Sequence, residues 1–103
     1  MSKSALTSSE AAPAVSTAFL LMARYHGAPI IPLDAVVRDF FPHVTTDKFL
    51  KKALAGAISI PVVRMETSQK TAKGIHLQDL ADYIDAQRAA AVRECEALRL
   101  ATA

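Results

Sequence analysis

TTDKFLKKALAGAISIPVVRMETSQKTAKGIHL, Thr45 to Leu77, switches its hydrophobic period twice within one short length of chain. Thr45 and Thr46 are both good helix N-caps, because a threonine hydroxyl can accept from an otherwise unpaired first-turn N–H. From Asp47 to Ala55 the apolar residues Phe49, Leu50, Ala53 and Leu54 are expected to face inward. Lys48, Lys51, Lys52 and Ala55 recur at i, i+3, i+4 and i+7 on the opposite face. Gly56 closes this helix. The run Ile58 to Met65 is β-branched and short, which predicts a strand, with Pro61 at or near its edge. Glu66 to Lys73 is polar throughout, and Gly74-Ile75-His76 returns as a brief second strand. The expected unit is a basic helix followed by a hairpin, with Ser68, Gln69, Lys70, Thr71 and Lys73 at the tip.

Upstream, Leu33, Val36, Val37 and Phe40 form an amphipathic stripe that starts near Pro32-Leu33. Phe41-Pro42 stops it, since the residue before proline avoids the α region. Asp34 and Arg38 lie four apart and can pair outside. Together with the basic helix, across the His43-Val44 turn, this stripe makes a helix-turn-helix. Still earlier, TAFLLMARYH (Thr17–His26) predicts a helix capped by Ser16 or Thr17 and ended by Gly27. Apolar residues surround most of it, so it is expected to be buried on more than one side. Downstream, Leu77, Leu80, Ala81 and Ile84 begin a stripe that continues through Ala91, Cys95 and Leu98. A helix of about 22 residues would be roughly 33 Å long. It outreaches so small a domain, and its far half is expected to pack on a second copy.

The chain has 103 residues, 51% of them apolar, which sets one domain with a modest core. Residues 1–14, small and polar, read as a disordered tail, and residues 15–100 as the folded unit. The net charge is only +2, but it is sorted along the chain. Lys48, Lys51, Lys52, Arg64, Lys70 and Lys73 face Glu66 alone, whereas Asp79, Asp82, Asp85, Glu94 and Glu96 dominate the last helix over Arg88 and Arg93. A positive middle set against an acidic end suits an oriented encounter with a polyanion. One cysteine, Cys95, cannot close an internal disulfide, and no signal peptide or membrane span is visible, so a cytoplasmic protein is expected. His26, His43 and His76 lack metal-ligand spacing, and no phosphate loop or nucleophile motif occurs. No enzyme, metal, cofactor, small-molecule ligand or membrane partner is expected.

The string TAFLLMARY, the run from Pro61 to Leu77 (PVVRMETSQKTAKGIHL) and DLADYIDAQR carry a resemblance to the pyocin activator protein PrtN family, over Thr17 to about Leu98. Pro32 to Arg88 also resembles the excisionase-like winged helix-turn-helix group, with its closing DLxxYI helix supplied by Asp79 to Ile84. The implied fold is mainly α with a small β-hairpin, an excisionase/MerR-like winged helix-turn-helix with a long C-terminal helix. The implied function is activation of phage-tail-derived bacteriocin genes in the DNA damage response, by binding repeated promoter boxes on double-stranded DNA. A homodimer or higher oligomer on DNA follows, with RNA polymerase a candidate second partner.

On that reading, Lys48, Lys51 and Lys52 enter a major groove, and Thr45 or Thr46 meets the backbone at the helix start. Ser68, Gln69, Lys70 and Lys73 lie along the neighbouring backbone, and Arg64 reaches either. The recognition helix has no Arg, Asn or Gln, the side chains that read base edges in bidentate fashion, so Gln69, Arg64 or DNA shape must carry sequence reading. Two other roles compatible with the residues are an architectural DNA-bending factor and a protein-interaction adaptor.

Overall fold

A computed structural model describes residues 15–68 and 70–102. The expected tail (residues 1–14) and Gln69 lie outside the described residues. Four helices and three short strands follow in the order α1 (Thr17–Arg24), β1 (Ile30–Pro32), α2 (Leu33–Phe40), α3 (Thr46–Leu54), β2 (Val63–Arg64), β3 (Lys73–His76) and α4 (Leu77–Thr102). The strands form one antiparallel sheet in the order β1-β3-β2. This is a mainly helical, winged helix-turn-helix-like architecture with a long C-terminal helix.

Capping accounts for where the helices start and stop. Ser16 Oγ accepts from Phe19 N–H at the start of α1, and Thr45 Oγ1 accepts from Lys48 N–H at the start of α3. At the end of α3 the Gly56 N–H donates to Ala53 O and the Ala57 N–H to Lys52 O, with Gly56 at φ +83°. That paired closure needs a left-handed residue, which glycine supplies without strain. α1 closes the same way, with the Gly27 N–H donating to Met22 O, but the left-handed position there is His26 at φ +58°.

The sheet holds the interior together. Ile31 and Ile75, paired in register across β1 and β3, are both fully buried, and Val36, Phe49 and Leu80 join them. Gly74 stands where β1 and β3 come closest. A Cβ on it would sit 2.6 Å from Ile30 Cγ2 and 2.6 Å from Ile31 O, so no larger residue fits without moving backbone. Leu77 N–H donates to Pro29 O at 2.8 Å, tying the first residue of α4 to the approach to β1.

Several expectations need correction. The anticipated strand Ile58–Met65 contracts to Val63–Arg64, because Ile60 N–H bonds back to Ile58 O and Pro61 has no N–H to offer a ladder. On the other edge of Lys73–His76 pairs Ile30–Pro32, a strand absent from the sequence reading, whose proline is tolerated at the sheet edge. α1 is not buried on several sides: Leu21 is buried, while Phe19 is 59% exposed and Leu20 and Met22 are also exposed. Leu54 is 58% exposed, since five helical steps set it about 140° from Phe49, beyond the inward arc. Phe40 is on the surface at 37% rather than in the core. Arg38 pairs with Asp39 in place of Asp34. The α4 stripe is buried only at Leu77, Leu80 and Ala81; Ala91, Cys95 and Leu98 face solvent.

Candidate nucleic-acid interface

Phe49 fixes how α3 is turned. Its ring is fully buried and packs against Phe41 at 4.7 Å between centroids, and Phe41 in turn lies 5.9 Å from the Tyr83 ring of α4. With Phe49, Leu50 and Ala53 on the inward arc, Lys48 and Lys51 point away from it and Lys52 stands on its flank, and all three are exposed. Thr45 is exposed and occupied in part by its cap, while Thr46, the first helical residue, is half-buried.

The wing is placed by register. Arg64 stands directly opposite Lys73 in the antiparallel pair β2–β3. Residues two apart on a strand share a face, so Lys73 and Arg64 lie on the side of the sheet that Ile75 turns to the core. Both basic residues therefore continue the face against which the helices pack, past the point where the core ends. At this sheet opens an apolar notch of about 240 Å³ lined by Ile30, Pro32, Met65, Ala72, Lys73 and Gly74. At the tip, Ser68 Oγ accepts from Lys70 N–H at 3.1 Å and Ser68 O from Thr71 N–H at 3.2 Å, a local turn that leaves the Lys70 side chain exposed.

Lys48, Lys51, Lys52, Arg64 and Lys70 make no side-chain ion pair or hydrogen bond among the described residues. No hydrogen bond among the described residues joins the α3 lysines to the wing; they are linked by the segment 55–62, whose anchor is buried Ile60. The structure thus sets Arg64 opposite Lys73, and Thr45 at the first turn of α3, and holds these two groups together through the shared core of Phe49, Ile60 and Ile75. The acidic residues of α4 adjoin this linking segment. Asp79 and Asp82 line a groove of about 380 Å³ with Ala57, Ser59, Pro61, Tyr83, Ala86 and Gln87, and Asp85 accepts from Thr17 Oγ1.

A model of the family described as pyocin activator protein PrtN matches residues 17–91, from the start of α1 into the middle of α4. The chain belongs to the PrtN family. The match takes in every described residue of the lysine helix and the wing. No curated protein and no solved structure matches the chain. Among the described residues no helix is long and apolar enough to cross a membrane, and no cluster of His, Cys, Asp and Glu could hold a metal.

Sequence reading alone missed Gly74 as the root of the wing. An isolated glycine inside a strand pattern signals close backbone approach, and that signal was present. It also missed Asp39. This carboxylate accepts from Arg38 Nε at 2.9 Å, from Arg24 Nη2 at 3.0 Å and from the Tyr25 hydroxyl, clasping α1 to α2. The Arg38 hydrogen bonds, then that of Tyr25, hold its carboxyl down to about 2. Burial, then the hydrogen bond from Tyr25 to Asp39 and the charge of that carboxylate, push the Tyr25 phenol up to about 12. No sequence pattern marks this cluster, because its members come from two helices.

Proposed function

We propose that the chain is a sequence-specific, DNA-binding transcriptional activator of phage-tail-like bacteriocin genes, acting in the cytoplasm on repeated promoter boxes and doing no catalysis. The observation that carries the reading is the row Lys48, Lys51 and Lys52, directed outward by buried Phe49 and left without acidic partners. Membership of a pyocin activator family supports the regulatory half of the reading. α3 would lie in a major groove with its lysines on phosphates and purine acceptors, and Thr45 and Thr46 on the backbone beside its first turn. Arg64, Lys73, Lys70 and Ser68 would follow the adjacent backbone. Gln69 and Arg64 are the side chains on this surface suited to bidentate base contacts, so they or DNA shape would set the sequence preference. Asp79, Asp82 and Asp85 give α4 a negative charge that would orient the protein during encounter.

The test is salt dependence. Six basic side chains each neutralising a phosphate give a slope of log K against log salt of about −0.9 × 6, roughly −5 per protomer. A slope near −1 on promoter DNA, measured by fluorescence anisotropy, would discard this surface.

A further inference from the structure

The distal half of α4 has the form of a self-complementary interface. Leu77, Ile84, Ala91 and Leu98 are spaced seven apart and so share one face of the helix. Leu77 is buried and Ile84 is half-buried, but Ala91 and Leu98 continue the same line in full solvent, Leu98 at 67%. Beside Ile84 a groove of about 270 Å³ opens between the end of α2 and α4, lined by Phe40, Phe41, His43, Leu80, Tyr83 and Gln87 as well as Ile84. The helix thus carries a groove at Ile84 and a projecting Leu98, each seven residues from Ala91.

We infer that two copies of this chain pair through α4 in antiparallel fashion, about a two-fold axis at Ala91. Leu98 of each copy then enters the groove beside Ile84 of the other. A two-fold contact must be self-complementary, and a knob and a hole equidistant from one small residue meet that demand. The charges agree. With the axis at Ala91, residues whose numbers sum to 182 lie level on the two helices, and no level sets two like charges opposite each other. A parallel pair in register would set Arg88, Arg93, Glu94, Glu96 and Arg99 each beside its own copy. The area agrees as well: half the accessible circumference of a helix is about 20 Å, and a strip of that width about 25 Å long, buried on both copies, gives on the order of 1,000 Å², at the small end of specific interfaces. Residues 91–102 are exposed throughout, and a helical extension of that length is marginal in water without packing, which a second copy supplies.

This inference does not rest on DNA binding, and its test uses the full chain without DNA. Sedimentation at tens of micromolar is expected to give a mass twice that of the single chain. Leu98→Asp should give a single-chain mass with the domain still folded, as its thermal transition would show, since Leu98 is 67% exposed and has no interior to disrupt within one chain. A cross-link locates the axis. Helices about 9–10 Å apart bring facing Cα atoms, each about 2.3 Å from its axis, to about 4.4–5.4 Å, within the roughly 4.4–6.8 Å that a disulfide spans. The Ala91→Cys, Cys95→Ala variant should therefore form a covalent dimer on mild oxidation. Native Cys95, about 6 Å along the axis from Ala91 on each copy, should not. A wild-type monomer, a Leu98→Asp dimer, no cross-link at position 91, or dissociation by Phe19→Asp and not by Leu98→Asp would each overturn the pairing. Retention by Leu98→Asp of the steep salt slope on a single box separates this result from the fate of the DNA reading.

Discussion

Two groups of cations on this small surface are treated in opposite ways. On α1 and α2, Arg24 and Arg38 converge on the Asp39 carboxylate, and Arg24 also lies over the Tyr25 ring at 5.0 Å. On α3 and the wing, Lys48, Lys51, Lys52, Arg64 and Lys70 have no acidic partner among the described residues. The difference is one of chemistry as well as position. Guanidinium groups suit a fixed, many-bonded clasp between two helices, whereas a row of lysines is a set of mobile point charges. The first group is spent on tertiary structure, and the second stays available to an anion from outside.

The harshest way to break this contrast is to unseat α3. Phe49→Ala should cost about 3–5 kcal/mol, the usual range for deleting a buried aromatic ring. Urea denaturation would read the loss, and the lysine row should lose its common direction with it. Next in size, Lys51→Ala with Lys52→Ala should weaken DNA binding by roughly 30- to 100-fold near physiological salt and flatten the salt slope by about two. Arg24→Ala with Arg38→Ala should leave that slope unchanged. Equal effects of the two double variants in an anisotropy titration would erase the distinction between the groups.

A gentler probe is pH. The Asp39 carboxyl is held near 2, below its ordinary value, so its contribution to stability is present above about pH 4 and drains away as the pH falls toward 2. The raised Tyr25 phenol gives the opposite limb, full below pH 10 and lost as the pH climbs toward about 12. Asp39→Asn should remove the acid limb and Tyr25→Phe the alkaline one, as followed by thermal melts across pH, while DNA binding at neutral pH is kept. The smallest effect belongs to His26, held left-handed at φ +58°. His26→Gly should raise stability by about 0.5–1 kcal/mol and shift the melting temperature up by a few degrees.

Wherever the physics is local, the chain could be read correctly in advance. The cap at Thr45, the stop at Gly56, the inward Phe49 and the outward lysines depend on neighbours within one turn, and all stand where the periodicity puts them. The wing was legible as a hairpin but not in its extent. A strand exists only by pairing, and the partner of Lys73–His76 on its other side is Ile30–Pro32, more than forty residues earlier. Exposure of α1 and of the end of α4 was equally out of reach, because an apolar residue looks the same in one dimension whether or not a surface arrives to cover it.

Helix boundaries, the charge sorting and the membership of α3 in a basic surface were therefore settled by residue order, through interactions that span a few positions. The β1-β3-β2 order, the facing of Arg64 and Lys73, the Asp39 clasp and the groove beside Ile84 were settled only when distant segments met. Such contacts depend on the spatial register of elements far apart in the chain, and no local periodicity encodes that register.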